Sequence, residues 1–275
     1  MKRIAVCISG QIRYWEESYP LFEYWNNLFD DVKFVFFLST WEGNSWYDKN
    51  KFPNLKITDY NFSDYDFIQD YSLHKENEVE IPEKSKKLPN SFLRAYLWNK
   101  VNLLRKKYEK ENNMTFDSVM LIRNDSFIPK SILKGSATTT KLRQYNDYHF
   151  VFSVGGGFVY FEQQVNPVLF VGNDNWYCSS SKTMDLIMNL YDWMLTDKVI
   201  SISCHKAPAE FFVKNNIHHL TFTANPIKLY REKPLVKNGY PTPQIMKKLI
   251  KEKGVEWIYD IVEYKDLTDK YWNYE

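Results

Sequence analysis

The chain has 275 residues, with 36 Lys and Arg against 34 Asp and Glu, so its formal charge at neutral pH is only +2. That balance argues against nucleic acid as the main partner, because gripping a phosphate backbone takes a basic surface. No apolar run approaches the ~20 residues of a membrane span, and three scattered cysteines (Cys7, Cys178, Cys204) offer neither a disulfide framework nor metal-ligand spacing.

Cysteine usage of that kind belongs to a reducing compartment, and the expected location is the cytoplasm. Lys2-Arg3 before Ile4–Ile8 looks briefly like a signal peptide, but the apolar run is too short and Gly10-Gln11 ends it. The length allows a sizeable core without staples. Aromatic content is 17%. Buried Tyr and Trp need partners for their polar tips, so many are expected to line a sugar cleft, a nucleobase cleft or an interface. The lysine clusters at Lys84–Lys87 and Lys247–Lys253 read as solvated faces.

In chain order, Ile4–Ile8 reads as a buried strand broken by Ser9-Gly10-Gln11. A helix follows, with Pro20 suited to its first turn and Leu21, Trp25 and Leu28 on one face. Val35–Leu38 is a second buried strand, ending at Ser39-Thr40-Trp41, so the chain opens as a βαβ unit. In the first turn, Gly10 lets the backbone approach a ligand, while the helix start and Arg13 favour an anion such as a pyrophosphate. The turn is neither GxGxxG nor a P-loop, and a plain turn is the alternative.

Residues 43–90 are polar and punctuated by Pro53, Pro82 and Pro89, with one strand near Leu55–Thr58; they are expected to lie peripherally over the site. Ser91 to Asn112 is the clearest helix, capped by Ser91, with Leu93, Leu97, Val101, Leu104 and Tyr108 forming its stripe. Arg94, Lys100 and Asn102 lie off or at the edge of that stripe. They either face solvent or send one member to a ligand.

Val119–Ile122 is a buried strand that runs into Arg123-Asn124-Asp125, with Pro129 beyond. A cation and a carboxylate at a buried strand end are costly without partners, and ligands of open α/β sheets sit at the carboxyl ends of strands. A plain ion pair is the alternative. Tyr148–Val154, Gly155-Gly156-Gly157 and Phe158–Phe161 suggest a hairpin or a flap that orders on binding. A short apolar run at 168–171 leads to Asp174 and Trp176, and Ser179–Ser181 caps a helix whose buried face carries Met184, Ile187, Met188 and Tyr191. Another short helix holds Pro208 in its first turn and Glu210, with late strands at 218–223 and 227–230. Thr242, Pro243 and Gly254 bracket a surface helix, and an aromatic tail follows.

Taken together, these landmarks resemble a family. Ser9-Gly10-Gln11-x-Arg13 follows a strand, a second strand ends in Ser39-Thr40-Trp41, and a helix runs into Tyr108-Glu109-x-Glu111-Asn112. Then come Arg123-x-Asp125, Gly172-x-Asp174 before a serine cap and Met184-Asp185, and a helix through Ala209-Glu210 before Asn216-Ile217. Over roughly residues 4–220 this order is similar to that of small viral and bacterial glycosyltransferases with a GT-A-like nucleotide-sugar-binding fold. The resemblance implies an α/β, Rossmann-like fold: a mixed, mostly parallel central sheet flanked by helices in a single main domain. The domain would span residues 1–230, with 231–275 as a helical, aromatic extension packed on it.

The resemblance further implies transfer of a sugar from a nucleotide-diphosphate sugar to a hydroxyl of a glycan acceptor. Ser9, Gly10, Gln11, Arg13, Lys100, Arg123 and Asp125 would bind the donor. Asp125 would hold Mn²⁺ or Mg²⁺ where such enzymes place a DxD-type motif, although position 123 is Arg and only one carboxylate is present. Asp174, or second Glu210, would take the acceptor's proton, and Trp176 would stack on the acceptor sugar. No nucleic acid partner is expected. The competing readings are a non-catalytic glycan- or nucleotide-binding protein on the same fold and a nucleotidyltransferase, which would carry a longer Gly-rich first loop.

Overall fold

The computed structural model describes residues 1–10, 15–41, 57–63, 90–123, 126–128, 130, 133, 149–154, 158–159, 168–169, 176–196, 206–222, 227–228 and 243–261. The first half holds β1 (Lys2–Ser9), α1 (Trp15–Tyr24) with a 3₁₀ turn at Trp25–Asn27, β2 (Val32–Trp41), β3 (Ile57–Ser63), α2 (Asn90–Glu111) and β4 (Ser118–Ile122). After these come the short β5 (Ser126–Phe127), then β6 (His149–Val154), β7 (Phe158–Val159), β8 (Val168–Leu169) and β9 (Trp176–Ser179). The chain continues through α3 (Ser181–Met188), α4 (Leu190–Thr196), α5 (Lys206–Lys214), β10 (Ile217–Phe222), β11 (Ile227–Lys228), α6 (Pro243–Lys253) and α7 (Val255–Ile261).

Seven strands make one sheet in the order β3-β2-β1-β4-β9-β6-β10. Six run in one direction, and β9 lies antiparallel between β4 and β6. This is the mixed, mostly parallel α/β sheet that the sequence leads one to expect. Its apolar strands read as continuous runs because both faces are covered. Ile4, Val6 and Ile8 pack with Phe34, Phe36, Leu38, Met120 and Ile122 beneath α1 and α7. Ala5 and Cys7 face the other way, with Val35, Phe37, Val119 and Leu121 beneath α2 to α5. Each fully buried large apolar side chain contributes roughly 1.5–3 kcal/mol.

Helix α2 buries more than its stripe. Leu97 and Val101 are in the core, with Leu104 and Tyr108 packed at its margin. Phe92, Ala95, Tyr96, Trp98, Asn102 and Arg105 are buried as well, because α3 and α4 pack against the helix in addition to the sheet. Asn102 therefore does not face solvent. It accepts from Nε and Nη2 of Arg105 at 3.1 and 2.7 Å.

Arg105 is fully buried and tied on every side. Nη1 donates to Glu109 Oε2 at 2.7 Å and to Ser181 Oγ, and Nη2 donates to Asp185 Oδ1. Oε1 of Glu109 accepts from the Phe116 amide at 2.9 Å and from Ser181 Oγ at 3.0 Å. One guanidinium thus joins the last turns of α2, the entry to β4 and the start of α3. Its planar fork of five donors is what allows this.

Four local expectations are corrected. Pro20 is interior to α1, which starts at Trp15; its ring fits the helical φ and removes one backbone donor. Ser91 lies inside α2 rather than before it. The β6–glycine–β7 hairpin does not form, because β9 and β10 occupy both edges of β6, and β7 pairs with β8 instead. Ser179, expected among the caps of the next helix, is instead the last residue of strand β9 (Trp176–Ser179). Other signals hold: Ser180 caps α3 by accepting from the Thr183 amide at 3.3 Å, and Gly254, at φ +87°, follows α6. Thr242, Gly155–Gly157 and most of 43–89 lie outside the described residues. No described helix is long and apolar enough to cross a membrane.

Removing Arg105 leaves the partly buried Glu109 and Asp185 carboxylates without their cation. Arg105→Ala is expected to cost ~3–5 kcal/mol of stability, with no rescue by lysine, and urea denaturation measures both. Cys7 and Cys178 are buried free thiols on opposite faces of the sheet. Burial pushes the Cys7 thiol from 9.0 up to about 12, with Glu109 and Asp185 adding to the rise and Arg105 opposing it. The unfolded thiol ionises first, so this group's contribution to stability is full below about pH 9 and is lost as pH rises towards about 12. In the native protein at pH 8, Cys7 should resist a disulfide reagent that labels it at once in denaturant. Rapid native labelling would contradict the burial.

Candidate functional site

The three central strands stop being apolar at one level. Ile8 is in register with Leu38 on β2 and with Ile122 on β4. One residue further, Ser9 stands opposite Ser39, and Arg123 follows Ile122. Both serines are buried, whereas Arg123 is half-buried. This is the carboxyl edge of the parallel strands, the place where open α/β sheets bind ligands. Because β9 runs the other way, its first residue, Trp176, pairs with Ile122 at the same edge. Val154 ends β6 there too, in register with Phe222 at the end of β10.

Gly10 turns the chain away from β1 with φ +114°. A Cβ built on it would meet nothing within 4 Å, so the backbone conformation and not space calls for glycine. Its amide donates to Ser39 O at 3.2 Å, which ties the ends of β1 and β2 together. Any amides the turn offers to an anion must therefore come from residues beyond Gly10.

Of the residues expected at the site, Ser9, Gly10 and Arg123 are brought to one edge, and Trp176 begins a strand beside them. Gln11, Arg13, Asp125 and Asp174 lie outside the described residues. Lys100 is held on its own helix, with Nζ 4.6 Å above the Tyr96 ring. Glu210 is buried on α5, and its Oε1 lies 3.4 Å from Lys214 Nζ one turn away. The Lys214 ammonium also sits 5.2 Å over Trp193. Nearby, Arg94 stacks at 4.7 Å on Trp98, which meets Tyr177 of β9 edge-on at 5.5 Å. Among the described residues no three His, Cys, Asp or Glu side chains gather as metal ligands.

Ser39 was expected only as part of the Ser39-Thr40-Trp41 strand end and not at the site, yet it stands opposite Ser9. The signal was present: β2, like β1, changes from apolar to polar in a single step. Glu109 and Asp185, by contrast, belong to two of the motifs on which the family resemblance rests. In the structure both are partners of Arg105.

No family model and no curated protein matches the chain. Among solved structures it is similar to a protein assigned as a nucleotide-diphospho-sugar transferase from Desulfovibrio desulfuricans G20. That similarity has a TM-score of 0.38 at 9% identity, over 94% of this chain and 99% of the other. It is also similar to a 4-diphosphocytidyl-2C-methyl-D-erythritol synthase, with a TM-score of 0.39 at 10% identity, over 85% of this chain and 94% of the other. At scores this low neither likeness bears on this chain's chemistry.

Gly10→Ala would force an L-residue into a backbone region it rarely adopts. The expected loss is ~1–2 kcal/mol, read from the urea midpoint. An unchanged midpoint would mean that the turn relaxes without strain.

Proposed function

We propose that this protein is a GT-A-like glycosyltransferase that moves a sugar from a nucleotide-diphosphate sugar to a hydroxyl of a glycan acceptor. The observation that supports this most is the shared level at which β1, β2 and β4 turn polar. It sets the Ser9-Gly10 turn beside Arg123 at the carboxyl edge of the sheet. A glycine turn and a guanidinium at that edge suit an anionic donor. The cysteine usage fits a cytoplasmic enzyme.

In this reading Ser9, Gly10, Gln11 and Arg13 hold the nucleotide and its phosphates, and Lys100 is a further cation for the donor. Arg123 neutralises part of the diphosphate charge. Asp125, two residues on, is the single carboxylate of Arg123-Asn124-Asp125. One carboxylate beside a cation fits an Mn²⁺ or Mg²⁺ held mostly by the donor's own phosphates and by water, as small hard cations commonly are. Such an ion would share with Arg123 the charge that develops on the departing diphosphate. Asp174 accepts the proton of the acceptor hydroxyl, whose oxygen bonds to the anomeric carbon. The carbon–oxygen bond to the diphosphate breaks, and the nucleoside diphosphate leaves with the electron pair. Trp176 supplies a face for the acceptor sugar. Glu210 is the second choice as base because its buried carboxylate already has Lys214 as a partner.

A thermal-shift panel of nucleoside diphosphates and nucleotide sugars, each with and without Mn²⁺ or Mg²⁺, tests the reading. A true donor at a hundredfold excess over its dissociation constant should stabilise the fold by ~2.7 kcal/mol. No shift with any of them would sink the donor site. Asp125→Ala should abolish transfer while leaving the melting temperature nearly unchanged. Asp174→Asn should lose transfer but keep donor affinity. Donor binding without transfer in the wild type would favour a non-catalytic binding protein.

A further inference from the structure

We propose that the cleft between α2, α4 and α5 is a binding site for an acetyl group, with the methyl seated among apolar side chains and the oxygen held by Arg94. The inference does not rest on the donor site proposed above.

The cleft opens where small residues meet at the junction of these helices. Ala95 of α2 and Ala207 of α5 line it, with Leu190 and Met194 of α4 and with Pro208. Its empty space, open mouth included, is about 190 Å³, less than the ~300–1,000 Å³ of clefts that enclose a drug-sized ligand. Inside it there is room for a group of about the size of one water molecule. Such a cleft takes a substituent and not a whole sugar ring. Arg94 and Trp98 complete the lining. Arg94 is half-buried, and its guanidinium carbon lies 4.7 Å from the centre of the Trp98 ring. Trp98 meets Tyr177 edge-on at 5.5 Å. Tyr177 pairs with Leu121, one residue inside the Ile122–Trp176 pair at the carboxyl edge. The cleft therefore backs onto the sheet close to that edge.

The chemistry of the lining selects the occupant. The polar side-chain groups it offers, the Arg94 guanidinium and the Trp98 indole, are both donors with no acceptor. A water molecule needs two to four polar partners and acceptors for its own protons, so it is poorly served here. A sugar hydroxyl has the same difficulty, because its proton would be left unbonded among apolar groups. An acetyl group has no such proton on the part that enters. Its methyl matches the apolar walls, and its oxygen, one bond removed from the carbon that carries the methyl, is a pure acceptor. The guanidinium is a fork of five N–H donors, enough to serve a ligand oxygen alongside other partners. Free acetate and the acetamido group of an amino sugar both present this group.

Saturation-transfer NMR on the full chain tests this with methyl N-acetylglucosaminide, its N-propanoyl analogue, methyl glucoside and acetate. The acetyl methyl should be the most strongly saturated position of the ligand that carries it, and methyl glucoside should not compete. Arg94→Met, which keeps an unbranched stem over Trp98, is expected to weaken binding about tenfold through loss of a hydrogen bond from a charged donor. Ala207→Val should weaken it too by filling the cleft. Overpacking can also unfold a core, so the N-propanoyl analogue puts the same question from the ligand side and should bind about threefold or more weakly than the N-acetyl one. Binding of the acetamido sugar identifies a carbohydrate source, and binding of acetate alone a free acid; either supports the cleft. Saturation of neither methyl overturns the proposal. So does an affinity untouched by Arg94→Met, or equal affinity for the longer acyl group. The nucleotide panel is read separately, so the donor site stands or falls on its own.

Discussion

The structure depends on sealing β1 on both faces. Its residues alternate between two cores, Ile4, Val6 and Ile8 toward one and Ala5 and Cys7 toward the other. A strand closed above and below, with β2 and β4 hydrogen-bonded on either side, has no surface left for chemistry except its ends. The continuous apolar run that makes the strand is thus what drives polar groups to its edge. The single-residue change from Ile8 to Ser9 marks where that edge begins, and β2 makes the same change at the matching residue.

The two ends of the sheet are treated differently. At the amino end, Arg105 gathers Asn102, Glu109, Ser181 and Asp185 around one guanidinium. A buried cation of this kind contributes less through net stability than through intolerance of change, since losing any partner exposes the cost of desolvation. At the carboxyl end, Arg123 is half-buried at the end of its strand. One arginine locks helices to the sheet, and the other stands at the sheet's carboxyl edge. Residue type alone does not separate them; burial does.

The fold was legible wherever one physical signal dominated. Runs such as Ile4–Ile8 and Val35–Leu38 announce buried strands, and the Pro243 and Gly254 brackets announce a helix. What stayed hidden depended on partners far away in the chain. Nothing local in Trp176–Ser179 says that four residues will pair with both β4 and β6, and nothing local to Arg105 says that it will be buried. The β6–glycine–β7 hairpin was the natural local reading, and it fails because β10, more than sixty residues later, takes the edge that β7 would have needed. For the candidate site, the level of the strand ends was readable, and Ser9, Gly10 and Arg123 lie along one edge of the sheet. The function of individual carboxylates was less so: Glu109 and Asp185, which helped to suggest a family, hold the scaffold.

The antiparallel placement of β9 has a mechanical consequence. On one side of it β3, β2, β1 and β4 form a parallel slab, and on the other β6 and β10 form a second, smaller one. Within the seven-stranded sheet the slabs are joined only through this four-residue strand, while the short β5–β11 ladder ties the chain just past β4 to the chain just past β10. Backbone hydrogen bonding along the sheet is therefore continuous but unevenly strong, with a seam at its narrowest connection. If the molecule opens in parts and not all at once, that seam is where its cooperativity should first break.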